Sequence, residues 1–142
     1  MSEVKLEWKG GLLFDVEQYG KHYHFDVSEE AGGSGKGISP KTVLLASLAG
    51  CTSMSAVSIL QKMRVTDYKL IIEVQAEVAD EHPKVFTDIE VSFNFTGDEL
   101  PEDKVKKAVL KSVEKYCPVH TMLEKSTNIS TRIFINEKEI AL

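Results

Sequence analysis

SPKTVLLASLAGCTSMSAVSILQKM, residues 39–63, is the stretch on which the fold turns. Ser39 followed by Pro40 is a helix start. Serine suits the cap, and proline suits the first helical position, where its missing N–H would have had no helical partner. No further proline interrupts the segment up to Met63. Val43, Leu44, Leu45, Ala46, Leu48 and Ala49 cover nearly the whole circumference of its first half, and a helix apolar all round is a buried one. Its middle is small: Ser47, Ala49, Gly50, Cys51, Thr52 and Ser53. The glycine alone costs about 1 kcal/mol of helix propensity relative to alanine. Another backbone is therefore expected to pack closely on the Cys51 side.

On the N-terminal side the pattern changes to a period of two. Val4, Leu6 and Trp8 alternate with Lys5, Glu7 and Lys9 up to Gly10-Gly11. Leu12, Phe14 and Val16 follow, and after Gly20 come Tyr23, Phe25 and Val27, the whole predicting a three-stranded meander. Residues 28–38 (SEEAGGSGKGI) offer little to bury and read as a mobile connection or lid. Gly35-Lys36 lacks the following Ser or Thr and the upstream glycine of a phosphate loop, so a nucleotide site is rejected.

On the C-terminal side, Leu70 to Val78 and Val85 to Phe95 alternate as the arms of an antiparallel hairpin around His82-Pro83, one face wet and one buried. Pro101, Glu102 and Asp103 open a second helix that ends near Tyr116. Cys117-Pro118 breaks it and starts a short third helix through Lys125. Ile129, Thr131, Ile133 and Ile135 then mark a last strand. With no repeated βαβ unit, the class is α+β with a mostly antiparallel sheet.

The chain has 142 residues, fitting one domain over 1–142, with 42% hydrophobic and 27% charged residues, enough for one core. A net charge of −5, with Arg64 and Arg132 the only arginines, argues against a nucleic-acid partner. The first residues carry no basic or apolar leader, and the longest apolar run, Val43 to Ala49, is too short to cross a bilayer. The expectation is a cytoplasmic protein with no membrane partner. Two cysteines do not make a disulfide scaffold, but they suffice for one thiol that attacks and one that resolves.

Cys51 sits mid-helix between Ser47 and Ser55, four residues either side, and taken alone reads most simply as a small buried hydrophobe. Cys117 precedes Pro118 and so falls at the N-cap of the third helix, where unpaired backbone amides favour a thiolate. The spacing to His120 gives C-x-x-H, and Cys51, Cys117 and His120 could supply three zinc ligands. That signal is weak, and no metal or other cofactor is assigned. His22 and His24 share one face of a strand, a pattern far commoner for exposed histidines than for ligands. Glu114 and Glu124 flank Cys117 without an assigned role.

The segment quoted first, with KYCPVHTMLEKSTNIS at residues 115–130, resembles the OsmC/Ohr family of osmotically inducible and organic hydroperoxide resistance proteins, and most nearly its YhfA-type branch. The resemblance covers essentially the whole chain. It implies an OsmC-like α+β fold, antiparallel sheets packed around two long helices, in an intertwined homodimer with sites at the subunit interface. It further implies an organic hydroperoxide reductase in which Cys51 attacks and Cys117 resolves, a dithiol closing the cycle. Two features depart from the peroxidase members. Their activating arginine follows the N-terminal Gly-Gly, where this chain has Leu12, and their glutamate follows the helix proline, where it has Lys41 and Thr42. Lys41 lies ten residues before Cys51, about 15 Å along the helix, too far to substitute within one chain. The competing reading is a non-peroxidase protein that binds a small apolar ligand or senses redox state with the same thiols.

Overall fold

The alternation of the first quarter forms a meander. The computed structural model describes all 142 residues and places β1 (Lys5–Trp8), β2 (Phe14–Gln18) and β3 (Lys21–Phe25) in one antiparallel sheet of that order. Leu6 pairs with Val16 and Val16 with Tyr23, while Glu17 pairs with His22. Because successive side chains alternate faces, this register collects the apolar residues on one side and the charged ones on the other. Tyr19 and Gly20, at φ 52° and 76°, make the two-residue turn between β2 and β3, the left-handed pair that matches strand twist.

The glycine-rich segment after β3 is not a free connection. The buried Asp26 carboxylate accepts hydrogen bonds from the backbone N–H groups of Val27 (2.8 Å), Ser34 (3.1 Å) and Lys36 (3.3 Å), and from the Ser34 hydroxyl. A β-bridge between Phe25 and Ile38 closes the far end. The expectation of a mobile lid is corrected: composition spoke for flexibility, but one buried carboxylate organises the loop. The two glycines that let the chain pass are Gly33 and Gly37. A Cβ on Gly37 would lie 2.6 Å from the His24 carbonyl oxygen.

The chain divides into two compact units, Met1–Leu45 and Ala46–Leu142. Helix α1 (Pro40–Lys62) spans the sequence where they meet. The Ser39 carbonyl receives the Val43 N–H at 3.1 Å and the Thr42 hydroxyl at 2.9 Å, fixing the first turn. Two expectations for α1 change. It is buried on one stripe only, Leu48, Thr52, Ala56 and Leu60, rather than all round. A Cβ on Gly50 would meet nothing within 4 Å, so no backbone of the same chain explains that glycine. Its apolar character also runs further than Val43 to Ala49. An 18-residue window has a mean hydropathy of 1.9, which by length and composition alone would suffice to cross a membrane. Serine, threonine and glycine between the larger residues interrupt the run without much lowering its average.

In the second unit β4 (Lys69–Val78), β5 (Phe86–Thr96), β6 (Asn128–Ile135) and β7 (Lys138–Ile140) form one sheet in that order. β4–β5 and β6–β7 are antiparallel, whereas β5–β6 is parallel. A parallel pair needs a crossover. Here it is α2 (Glu102–Lys111), one π-helical turn (Ser112–Tyr116) and α3 (Pro118–Leu123). Only α1 is therefore long; the second helix is ten residues widened by the π-turn before Cys117. The buried residues of this unit include Ile89, Val91, Phe93, Phe95 and Ile133 from the sheet, with Val105, Ala108 and Val109 from α2. Burying each large side chain of this kind stabilises the fold by about 1.5–3 kcal/mol. The short β7 was not foreseen. Asn136 and Glu137 turn the chain with both φ positive, at 49° and 69°, without a glycine to announce it.

Candidate active site

The two cysteines meet inside the second unit. Both are free thiols; Cys51 is partly buried and Cys117 fully so. Cys117 is the N-cap of α3, with extended backbone at φ −87° and ψ 104°, and its Sγ accepts the His120 N–H at 3.3 Å. Pro118 fills the first position and brings no N–H of its own. The next amide, that of Val119, faces the Cys51 thiol. The free amides of α3 thus serve both sulfurs, one each, where the sequence pointed to Cys117 alone.

Burial is the main influence on Cys51 and pushes its thiol above the usual range; the Val119 amide pulls it down, and the neighbouring Cys117 pushes it up again. A charged sulfur is disfavoured by desolvation unless donors or cations replace the lost water. No cation of this chain acts on Cys51. Arg132 is taken up at the wet face of the sheet, with Glu139 at 2.8 and 2.9 Å and Glu90 at 3.3 Å.

Residues that the sequence did not single out complete the arrangement. Thr52 Oγ1 lies 3.2 Å from Cys117 Sγ and donates to the Leu48 carbonyl at 2.8 Å. The Ser112 hydroxyl donates to the Thr52 carbonyl at 2.6 Å, and the Ser112 carbonyl accepts the Cys117 N–H at 2.8 Å. The available signal was a hydroxyl at the second place of the buried i, i+4 stripe of α1, next to a cysteine. Ser55, by contrast, returns its hydroxyl to the Cys51 carbonyl at 3.1 Å.

The remaining candidates lie apart from this arrangement or serve other partners. His120 is buried; its Nδ1 has no hydrogen-bond partner, and Glu124 stands 3.6 Å away. Cys51, Cys117 and His120 are not arranged as a metal-ligand set. His22 and His24 pair with Asp15, at 2.9 and 3.7 Å, on the polar face of the first sheet. Glu114 is exposed. Two thiols side by side, one reachable and one enclosed, form a pair able to pass between dithiol and disulfide.

The family model described as OsmC-like protein matches residues 33–132, which include both thiols. The chain belongs to the OsmC-like family. Within it, the chain is 34% identical to Protein YhfA of Escherichia coli K12 over 128 residues, 90% of this chain and 93% of that protein. Among solved structures it is similar to a hypothetical protein from Aquifex aeolicus VF5, with 27% identity, 96% of each chain covered and a TM-score of 0.85. It shares its fold with an organic hydroperoxide resistance protein OsmC from Legionella pneumophila, at 16% identity, a TM-score of 0.68, and coverage of 94% of this chain and 96% of that one. An OsmC-like member with two sheets and helices in an α+β arrangement is what the sequence led us to expect.

Proposed function

We propose that this OsmC-like protein reduces organic hydroperoxides through Cys51 and Cys117. The observation that carries the reading is the placement of a partly accessible thiol against a fully buried one. Cys51 sulfur attacks the peroxide, forming an S–O bond as the O–O bond breaks; the alkoxide leaves with the thiol proton as an alcohol. Cys117 then displaces hydroxide from the Cys51 sulfenic acid, giving a disulfide and water. An external dithiol reduces that disulfide by exchange.

The protein works as one domain over residues 1–142, in the cytoplasm, as an intertwined homodimer with its site at the subunit interface. Support for a second copy comes from α1: only 22% of its most apolar window is buried within the chain, and Leu44 and Met54 are exposed at 41% and 75%. Neither nucleic acid nor membrane is a partner in this reading. The second reading, a redox-sensing or small-ligand-binding protein that keeps the thiols, is favoured by the absence of any cation acting on Cys51. A slow nucleophile suits a sensor better than a peroxidase.

Consumption of cumene hydroperoxide with a dithiol reductant separates the two. The proposal expects turnover by wild type and background rates from Cys51→Ser. Equal background rates from both proteins leave the sensing reading.

A further inference from the structure

We propose that Thr52 is the positioning residue for Cys117: its hydroxyl accepts from the thiol, then switches to donate to the thiolate, holding that sulfur aimed at Cys51. The inference deepens the peroxidase reading and rests on it.

Thr52 is 1% exposed and lies on a stripe otherwise formed by Leu48, Ala56 and Leu60. A buried hydroxyl must find partners. It has one proton, and that proton goes to the Leu48 carbonyl at 2.8 Å. What it presents to Cys117 Sγ, 3.2 Å away, is a lone pair, so the thiol S–H is the donor in the resting state. When Cys117 loses its proton, rotation about the Thr52 C–O bond turns the hydroxyl hydrogen from Leu48 to the sulfur. No heavy atom moves. The Leu48 carbonyl keeps the N–H it receives within the helix. The thiolate then holds two donors, this hydroxyl and the His120 N–H.

Ser112 locks the geometry. Fully buried at the start of the π-turn, it grips Thr52 through its hydroxyl and Cys117 through its carbonyl. Thr52, Ser112 and Cys117 therefore form a closed ring of contacts joining α1 to the crossover. The titratable groups nearby are Cys51 and His120, the latter beside Glu124. The step served is resolution. Cys117 sulfur forms the S–S bond, the S–O bond of the Cys51 sulfenic acid breaks, and the departing hydroxide takes up the proton that Cys117 released.

The test oxidises the protein with one equivalent of cumene hydroperoxide, traps sulfenic acid with dimedone and follows disulfide closure by mass spectrometry. Thermal unfolding confirms that each variant is folded. In Thr52→Val, sulfenic acid forms at the wild-type rate but closure slows about tenfold or more, the loss of one hydrogen bond to a charged group. Thr52→Ser restores closure to near the wild-type rate. A packing role predicts the reverse order, because valine keeps the shape of threonine and serine does not. Closure in Thr52→Val as fast as in wild type, or slower closure in Thr52→Ser than in Thr52→Val, overturns this inference alone. Absence of any Cys51 sulfenic acid in Cys117→Ser removes the step itself, and the peroxidase reading falls with it.

Discussion

Asp26 shows how much a single buried carboxylate can organise. Its hydrogen bond from the Ser34 hydroxyl is the largest influence on it. Burial opposes that influence, and the amides of Val27, Lys36 and Ser34 reinforce it, so its pKa is held below the ordinary value of 3.8. A carboxyl whose folded pKa is depressed contributes stability above the unfolded value, and that contribution is lost as the pH falls through the folded one. Wild type should therefore lose stability from this group on acidification below about pH 4. Asp26→Asn should be less stable at neutral pH and show a shallower decline there, which thermal unfolding across that range would measure. An identical pH dependence in the two proteins would rule Asp26 out as the source. At this scale the two thiols were legible because cysteine is rare here and proline marks one as a cap. Thr52 and Ser112 were not. Hydroxyls are common on helices, and only the tertiary fold decides which of them is enclosed beside a sulfur and which, like Ser55, bonds back to its own helix.

The strands that alternate cleanly, β1 to β6, could be read from period alone. So could the start of α1 at Pro40 and the break at Cys117-Pro118, where the backbone chemistry of proline leaves little choice. Elements set by backbone geometry without a composition signal escaped: the π-turn, which only shifts hydrogen bonds by one residue, and the turn at Asn136-Glu137 into β7. The loop over 28–38 was misjudged for a related reason. Glycine there permits close approach to Asp26 and β3 rather than freedom. Gly37→Ala should accordingly destabilise the protein by about 1–3 kcal/mol, as overpacking does, because the new Cβ meets the His24 carbonyl and the Asp26 backbone nitrogen. Chemical denaturation would show it as a lower midpoint with an unchanged slope. A variant as stable as wild type would mean that the loop has room the structure does not give it.

For the whole molecule, the family and the α+β class follow from sequence pattern and likeness together, and the match over residues 33–132 agrees with both. The assembly is a different matter. Periodicity reports that a face is apolar, not what covers it, which is why α1 read as buried all round although one stripe is buried within the chain. Trp8 at 64% and Met54 at 75% exposure are likewise apolar side chains that their own units leave uncovered. Peptide mapping shows whether Cys51 and Cys117 act as one redox pair. After one equivalent of cumene hydroperoxide, wild type should yield a single disulfide-linked peptide pair containing Cys51 and Cys117 of the same chain, reversed by a dithiol. Two reduced cysteines after that treatment, or a disulfide joining different chains, would mean that the two thiols are not such a pair.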